Sequence, residues 1–162
     1  MSASPYFFLE KNITGKWVYQ PLYRQPSSSY DHRDENGLVE IDLWPYNGTH
    51  ELFSALGAEN TFYYADNQLK FKNLSFDELS IELQEKCEKM RETARPCAVN
   101  LSDLLLETVL RPEVEDYYGE DANARVPNPL IDLYNRAKSM IDLLEDYDYI
   151  TSDYRIVYWL MW

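Results

Sequence analysis

The chain has no run of about eighteen apolar residues, the length a helix needs to cross a bilayer, and nothing in it reads as a membrane span. Glycine is scarce, five residues in 162, and none sits in a loop that would cradle a phosphate. There are only two cysteines, Cys87 and Cys97, with neither C-x-x-C spacing nor a histidine at ligand spacing. That argues against a structural zinc and against a disulfide framework. The two histidines, His32 and His50, are no better accompanied. His32-Arg33-Asp34 spells the triplet of a kinase catalytic loop, but the Gly-rich loop, strand lysine and Asp-Phe-Gly that make it work are missing. His50 has no serine, cysteine or carboxylate motif that would make it a general base. Glu40 and Asp42 share a strand face and, with His50 or Glu51, offer ligands to a divalent metal. Alternation alone generates such a pair, so a solvated strand face is the favoured reading and no cofactor is expected. The first twenty positions lack the basic start and apolar centre of a signal peptide, which predicts a cytoplasmic protein.

What the chain has in excess is negative charge. It carries 28 acidic and 15 basic residues, a formal net charge of −13. The imbalance is concentrated: residues 96–153 hold thirteen acids against four bases. A surface of this sign repels phosphate backbones, which excludes direct nucleic-acid binding, and it is steered instead towards basic surfaces on other proteins. The chain is also rich in tyrosine, with 14 in all, and several stand beside carboxylates.

Length and composition predict one α+β domain over residues 1–162, a mainly antiparallel sheet of four to six strands packed against three main helices. Residues 6–12 and 16–23 are aromatic-rich and joined by Ile13-Thr14-Gly15, which reads as a hairpin, with Pro21 placing the second strand at an edge or at its end. Val39, Ile41 and Leu43 alternate with Glu40 and Asp42 as a strand does. Pro45 and Asn47-Gly48 then force a turn, and Thr49 to Gly57 reads as a short helix burying Leu52, Phe53 and Leu56. Residues 60–71 fit either a small hairpin or an ordered loop. Ser75 and Glu78 fit a capping box, and Leu79, Leu83, Cys87, Met90 and Ala94 form one stripe, predicting a helix over 76–95 that buries the Cys87 thiol. Asn100 caps a second helix carrying Leu104, Leu105, Leu106 and Val109, ended by Pro112. Asn128-Pro129 opens a third, over 129–146, with Leu130, Leu133, Tyr134, Ala137, Met140, Ile141 and Leu144 on its broad face. Residues 154–162 are nearly all apolar and belong at the centre of the sheet. A chain closing on Trp162 leaves a two-fold homodimer open.

Three segments resemble a family of small, uncharacterised proteins encoded by phages and prophages. Gly15-Lys16-Trp17, after Phe8-Leu9-Glu10, is similar to that family's opening hairpin. Asn47 to Gly57, with Leu52-Phe53 and Leu56, is similar to its turn and helix, and Cys97 to Leu105 to a later Leu-Leu helix. The strand from Tyr154 to Trp159 looks like its closing one. The resemblance covers about half of the chain. It implies a phage context and an accessory role, and no activity.

The acid and tyrosine interleaving carries the functional expectation. Glu113, Glu115, Asp116, Tyr117, Tyr118, Glu120 and Asp121 form one cluster, and Asp146, Tyr147, Asp148, Tyr149 and Asp153 another. Carboxylates beside amphipathic rings contact arginine and lysine through ion pairs and cation–π attraction. The expected function is therefore a non-enzymatic, anti-defence type of inhibitor that mimics nucleic acid and binds a host protein with a basic surface. The alternative is a nucleotide or small-molecule sponge, or an enzyme, with phosphates held by Arg24, Arg33, Lys70, Lys72 or Arg155.

Overall fold

The two ends of the chain pair with each other. In the computed structural model, which describes residues 4–43, 52, 56, 72–92, 95–115 and 124–161, β1 (Ser4–Ile13) runs antiparallel to β9 (Tyr154–Met161). The register sets Leu9 opposite Ile156 and Glu10 opposite Arg155. β1 also forms a hairpin with β2 (Lys16–Tyr19) through Thr14 and Gly15, both at positive φ (52° and 86°). Two such residues in succession match the right-handed twist of the flanking strands. On the other side of β9 lies β6 (Cys97–Asn100), and beyond it β5 (Lys72–Asn73), which completes a five-stranded antiparallel sheet in the order β2-β1-β9-β6-β5. The hairpin, the end of β2 before Pro21 and the central place of the last strand are as the sequence predicts, and the fold is α+β.

β9 is buried on both faces. Tyr154, Ile156 and Tyr158 point one way, into a cluster with Phe7, Leu9 and Val99 from the sheet. This face is covered by α2 (Leu101–Leu110) and α3 (Leu130–Leu143), which supply Leu101 and Leu104, and Leu130, Leu133, Ala137, Met140 and Ile141. Asn100 caps α2 by accepting from the Ser102 N–H, and Asn128 caps α3 by accepting from the Leu130 N–H at 3.0 Å. Leu43, Leu52 and Leu56 join the same cluster, and the Tyr158 hydroxyl donates to the Leu56 carbonyl at 3.0 Å. Val157 and Trp159 point the other way, packing with Ala98, Leu74, Leu79, Leu83 and Cys87 under α1 (Ile81–Lys86) and its flanking turns.

The helix predicted over 76–95 is not continuous, and the reason is tertiary. The chain makes a 3-10 turn at Phe76–Glu78, runs extended through Leu79 and Ser80, forms α1, and makes a second 3-10 turn at Glu88–Met90. Glu10 accepts from the Ser80 N–H at 2.8 Å and the Arg155 guanidinium donates to the Glu78 carbonyl at 2.8 Å, taking two groups a continuous helix would have used itself. Ser80 then recaps the chain by accepting from the Leu83 N–H. The predicted apolar stripe survives the break, with Leu79, Leu83 and Cys87 all buried. The strand expected around residues 38–43 is shorter than predicted and lies outside the main sheet. Among the described residues β4 (Val39–Glu40) pairs only with β3 (Tyr23–Arg24), and β7 (Glu113–Glu115) with β8 (Arg125–Pro127) makes a second small ribbon. Most of the helix expected at 49–57, and the whole of the hairpin or loop at 60–71, lie outside the described residues.

Arg155 and Glu10 meet inside the second face. Arg155 places Nε and Nη2 at 2.9 and 2.8 Å from the Glu10 Oε1, and its guanidinium lies 4.2 Å from the centre of the Trp17 ring. Removing one member of a buried pair strands the other charge, so Arg155→Met is expected to cost about 3–5 kcal/mol. Urea unfolding checks it: the double variant Glu10→Leu/Arg155→Met should recover part of that loss, and a single-variant loss under about 1 kcal/mol would show the pair to be dispensable.

Candidate functional surface

The second acid and tyrosine cluster divides into an inward and an outward half. Asp146 follows α3 and turns back to the sheet, accepting from Lys11 Nζ and from the Tyr154 hydroxyl, each at 2.6 Å. These two hydrogen bonds hold its carboxyl below the ordinary carboxylate range. Tyr149 stacks edge-on against Tyr154 at 5.8 Å between centroids, and burial, aided by a hydrogen bond with Tyr134, pushes its hydroxyl up to about 12. Asp146 and Tyr149 therefore fasten the loop after α3 to the sheet. Tyr147 and Asp148 face outward, Tyr147 with 73% of its surface exposed, and Asp153 ends the 3-10 turn Thr151–Asp153 in a half-buried position.

Of the first cluster, Glu113 is exposed at the start of β7 and Glu115 ends that strand opposite Arg125. Asp116, Tyr117, Tyr118, Glu120 and Asp121 lie outside the described residues. The surface these residues belong to is broader than the sequence clusters suggest. Asp103 on α2, Asp132 and Asp142 on α3, and Glu145 after it are exposed as well. Among the described residues none of Asp103, Glu113, Asp132, Asp142, Glu145 and Asp148 joins an ion pair. Arg136 and Lys138 stand on α3 one turn from Asp132 and Asp142, yet exposed carboxylates outnumber cations on this side of the molecule, so the field there is negative.

Sequence reading also missed an apolar part of this surface. Leu106 and Val109, counted there with the helix's apolar residues, are exposed on α2 together with Leu110, whereas its carboxylate Glu107 is buried. Burial raises the Glu107 carboxyl above its usual range, opposed by Arg111 at 3.5 Å. The available signal was the composition of α2, apolar on nearly every side.

The other sequence candidates are absorbed by the fold. Glu40 accepts from the Tyr19 hydroxyl and from Lys86, an arrangement that ties β2, β4 and α1 together. Glu51 and His50 lie outside the described residues, among which no group of three or more His, Cys, Asp or Glu stands close enough for a metal ion. His32 and Arg33 are exposed, while Asp34 shapes its own turn by accepting from the Asn36 and Leu38 N–H groups. Of the cations weighed for phosphate, Arg24 pairs with Asp31 and Arg155 with Glu10; Lys70 lies outside the described residues. Cys97 packs on the α2 and α3 side of the sheet and Cys87 on the opposite side, so the sheet separates the two thiols. No helix of the described residues is long and apolar enough to cross a membrane. Comparison with family models, with curated proteins and with solved structures finds no match for this chain.

Two measurements test this account. Asp146 has a folded-state pKa below its unfolded value of about 3.9, so its contribution is complete above that pH and is lost as pH falls through the folded value. Asp146→Asn should therefore flatten the decline of the urea midpoint below about pH 4, and an unaltered acid limb would refute the link. Burial pushes the Cys87 thiol up to about 12, so iodoacetamide at neutral pH should leave Cys87 unlabelled until denaturant is added. Peptide mapping showing Cys87 alkylated in the native protein would contradict its place in the core.

Proposed function

We propose that this chain is a non-enzymatic accessory protein, of phage context, that binds a basic surface on a host protein and blocks it. The observation that carries this reading is the set of exposed, unpaired carboxylates along α2, α3 and the loop after α3. An isolated domain gains only solubility from such an excess, whereas a partner bearing arginine and lysine neutralises it on contact and is drawn in by the long-range field. The exposed Tyr147 beside Asp148 adds a ring able to stack on guanidinium groups. Host factors that grip nucleic-acid phosphates carry surfaces of the required sign, and an acidic chain occupying such a surface competes with the nucleic acid. The phage context rests on the resemblance of the hairpin, helix and closing-strand segments.

Affinity capture of the tagged chain from host cells, followed by binding measurements on the recovered protein, tests the reading. The expected partner is basic, is held at about 100 mM salt and is released before about 500 mM. The variant Glu113→Lys, Glu115→Lys, Asp142→Lys, Asp148→Lys should lose at least about tenfold in affinity and show a flatter salt dependence. A partner indifferent to both salt and charge reversal would overturn the proposal. So would a small molecule carried through purification at near-stoichiometric occupancy in native mass spectrometry.

A further inference from the structure

The helix α2 is built the wrong way round for one that faces only water. Six of its ten residues are leucine or valine, and they are spread around the helix rather than gathered on one side. Leu101 and Leu104 fill the core. Two of its four polar side chains, however, are taken up by the protein: Glu107 is buried near Arg111, and the Thr108 hydroxyl donates to the Leu105 carbonyl at 2.8 Å. Outward stand Leu106, Val109 and Leu110, exposed by 55%, 68% and 65%. Their spacing of three and four places them on a single face, with half-buried Leu105 at its margin. A helix apolar on all sides belongs between two layers, and among the described residues only the sheet and α3 side of α2 is covered. An apolar patch rimmed by polar residues marks a place where another molecule sits.

The rim indicates what that molecule is. Asp103 is exposed one turn before Leu106 and Glu113 three residues past Leu110, while the two cations at that end are already engaged, Arg111 with Glu107 and Arg125 with the Glu113 carbonyl. Neither carboxylate, Asp103 or Glu113, is in an ion pair among the described residues. A second copy of this chain fits poorly, because it would bring another charge of −13 and set acid against acid whichever way two α2 helices ran. We propose that the outer face of α2 is the seat of a basic amphipathic helix of a partner protein, its apolar side on Leu106, Val109 and Leu110 and its lysines or arginines over Asp103 and Glu113. Helix-on-helix docking of this kind uses apolar anchors at successive turns for affinity and end charges for orientation. The inference rests on the partner-binding reading above and gives that surface its centre, an apolar core within a charged rim.

A labelled synthetic helix of about twenty residues, with leucines at successive turns and lysine and arginine elsewhere, serves as the probe. Its counterpart with every basic residue replaced by glutamate is the control. The expected result is saturable one-to-one binding of the basic helix by fluorescence anisotropy and none of the acidic one. The variant Leu106→Ser, Val109→Ser, Leu110→Ser should weaken binding at least about tenfold, with circular dichroism and the melting temperature showing that it remains folded. The conservative variant Leu106→Met, Val109→Ile, Leu110→Met should retain binding, which keeps the test decisive if the serine variant does not fold. Binding that is lost on raising salt but indifferent to the serine variant would overturn this inference and leave the acidic-surface reading standing. No binding of the basic helix, together with no salt-sensitive partner in the capture experiment, would overturn both. A dimer in the wild type that the serine variant converts to monomer would make a second copy the occupant and overturn the proposal.

Discussion

Arg155 enters the sheet at its most enclosed strand with a full positive charge, and the groups that receive it hold distant parts of the chain in place. Glu10 lies directly across the strand pair, fully buried, with one carboxylate oxygen taken by the guanidinium and the other by the Ser80 N–H. Such a charge is tolerated in low dielectric only when paired and hydrogen-bonded throughout. The first strand, the last strand and the start of α1 are therefore fixed relative to one another by a single constellation. A one-residue slip between β1 and β9 would carry Glu10 to the opposite face, into the α2 and α3 core, and leave Arg155 alone. Trp17 closes the site from β2, laying its ring over the guanidinium and so including the edge hairpin in the same arrangement.

The two faces of the sheet consequently differ in character. The α1 face holds this buried pair and a compact apolar cluster around Trp159, with Glu40 linking Tyr19 and Lys86 at its border. The α2 and α3 face has the larger apolar core, and its outer side bears the excess of exposed carboxylates. Lys11, Asp146 and Tyr154 fasten the loop after α3 to the first and last strands, so the outward Tyr147 and Asp148 are presented from an anchored base.

Local patterns were legible wherever the determining contacts were close in sequence. The Thr14-Gly15 turn, the Asn100 and Asn128 caps, the apolar face of α3 and the Leu79, Leu83 and Cys87 stripe all follow from periodicity and side-chain chemistry within a turn or two. The acidic surface was legible as composition. The continuity of the 76–95 helix was not, because Ser80 and Glu78 are claimed by residues 70 and 77 positions away, and propensity carries no record of such partners. The division of Asp146 and Tyr149 from Tyr147 and Asp148 was equally hidden, since adjacent residues look alike until one knows which side meets Lys11 and Tyr154.

The sequence by itself determined an α+β chain with an antiparallel sheet, a central apolar last strand, and a second half with a large excess of acidic residues. These depend on residue type and spacing, which the chain carries wherever it is folded. Only the tertiary structure decided that Glu10 and Arg155 face each other, that the ribbon at Val39–Glu40 stands apart from the sheet, and that α2 turns Leu106, Val109 and Leu110 to solvent. Which side of an all-round apolar helix is covered depends on what else packs beside it, and that is a property of the assembled core rather than of the helix.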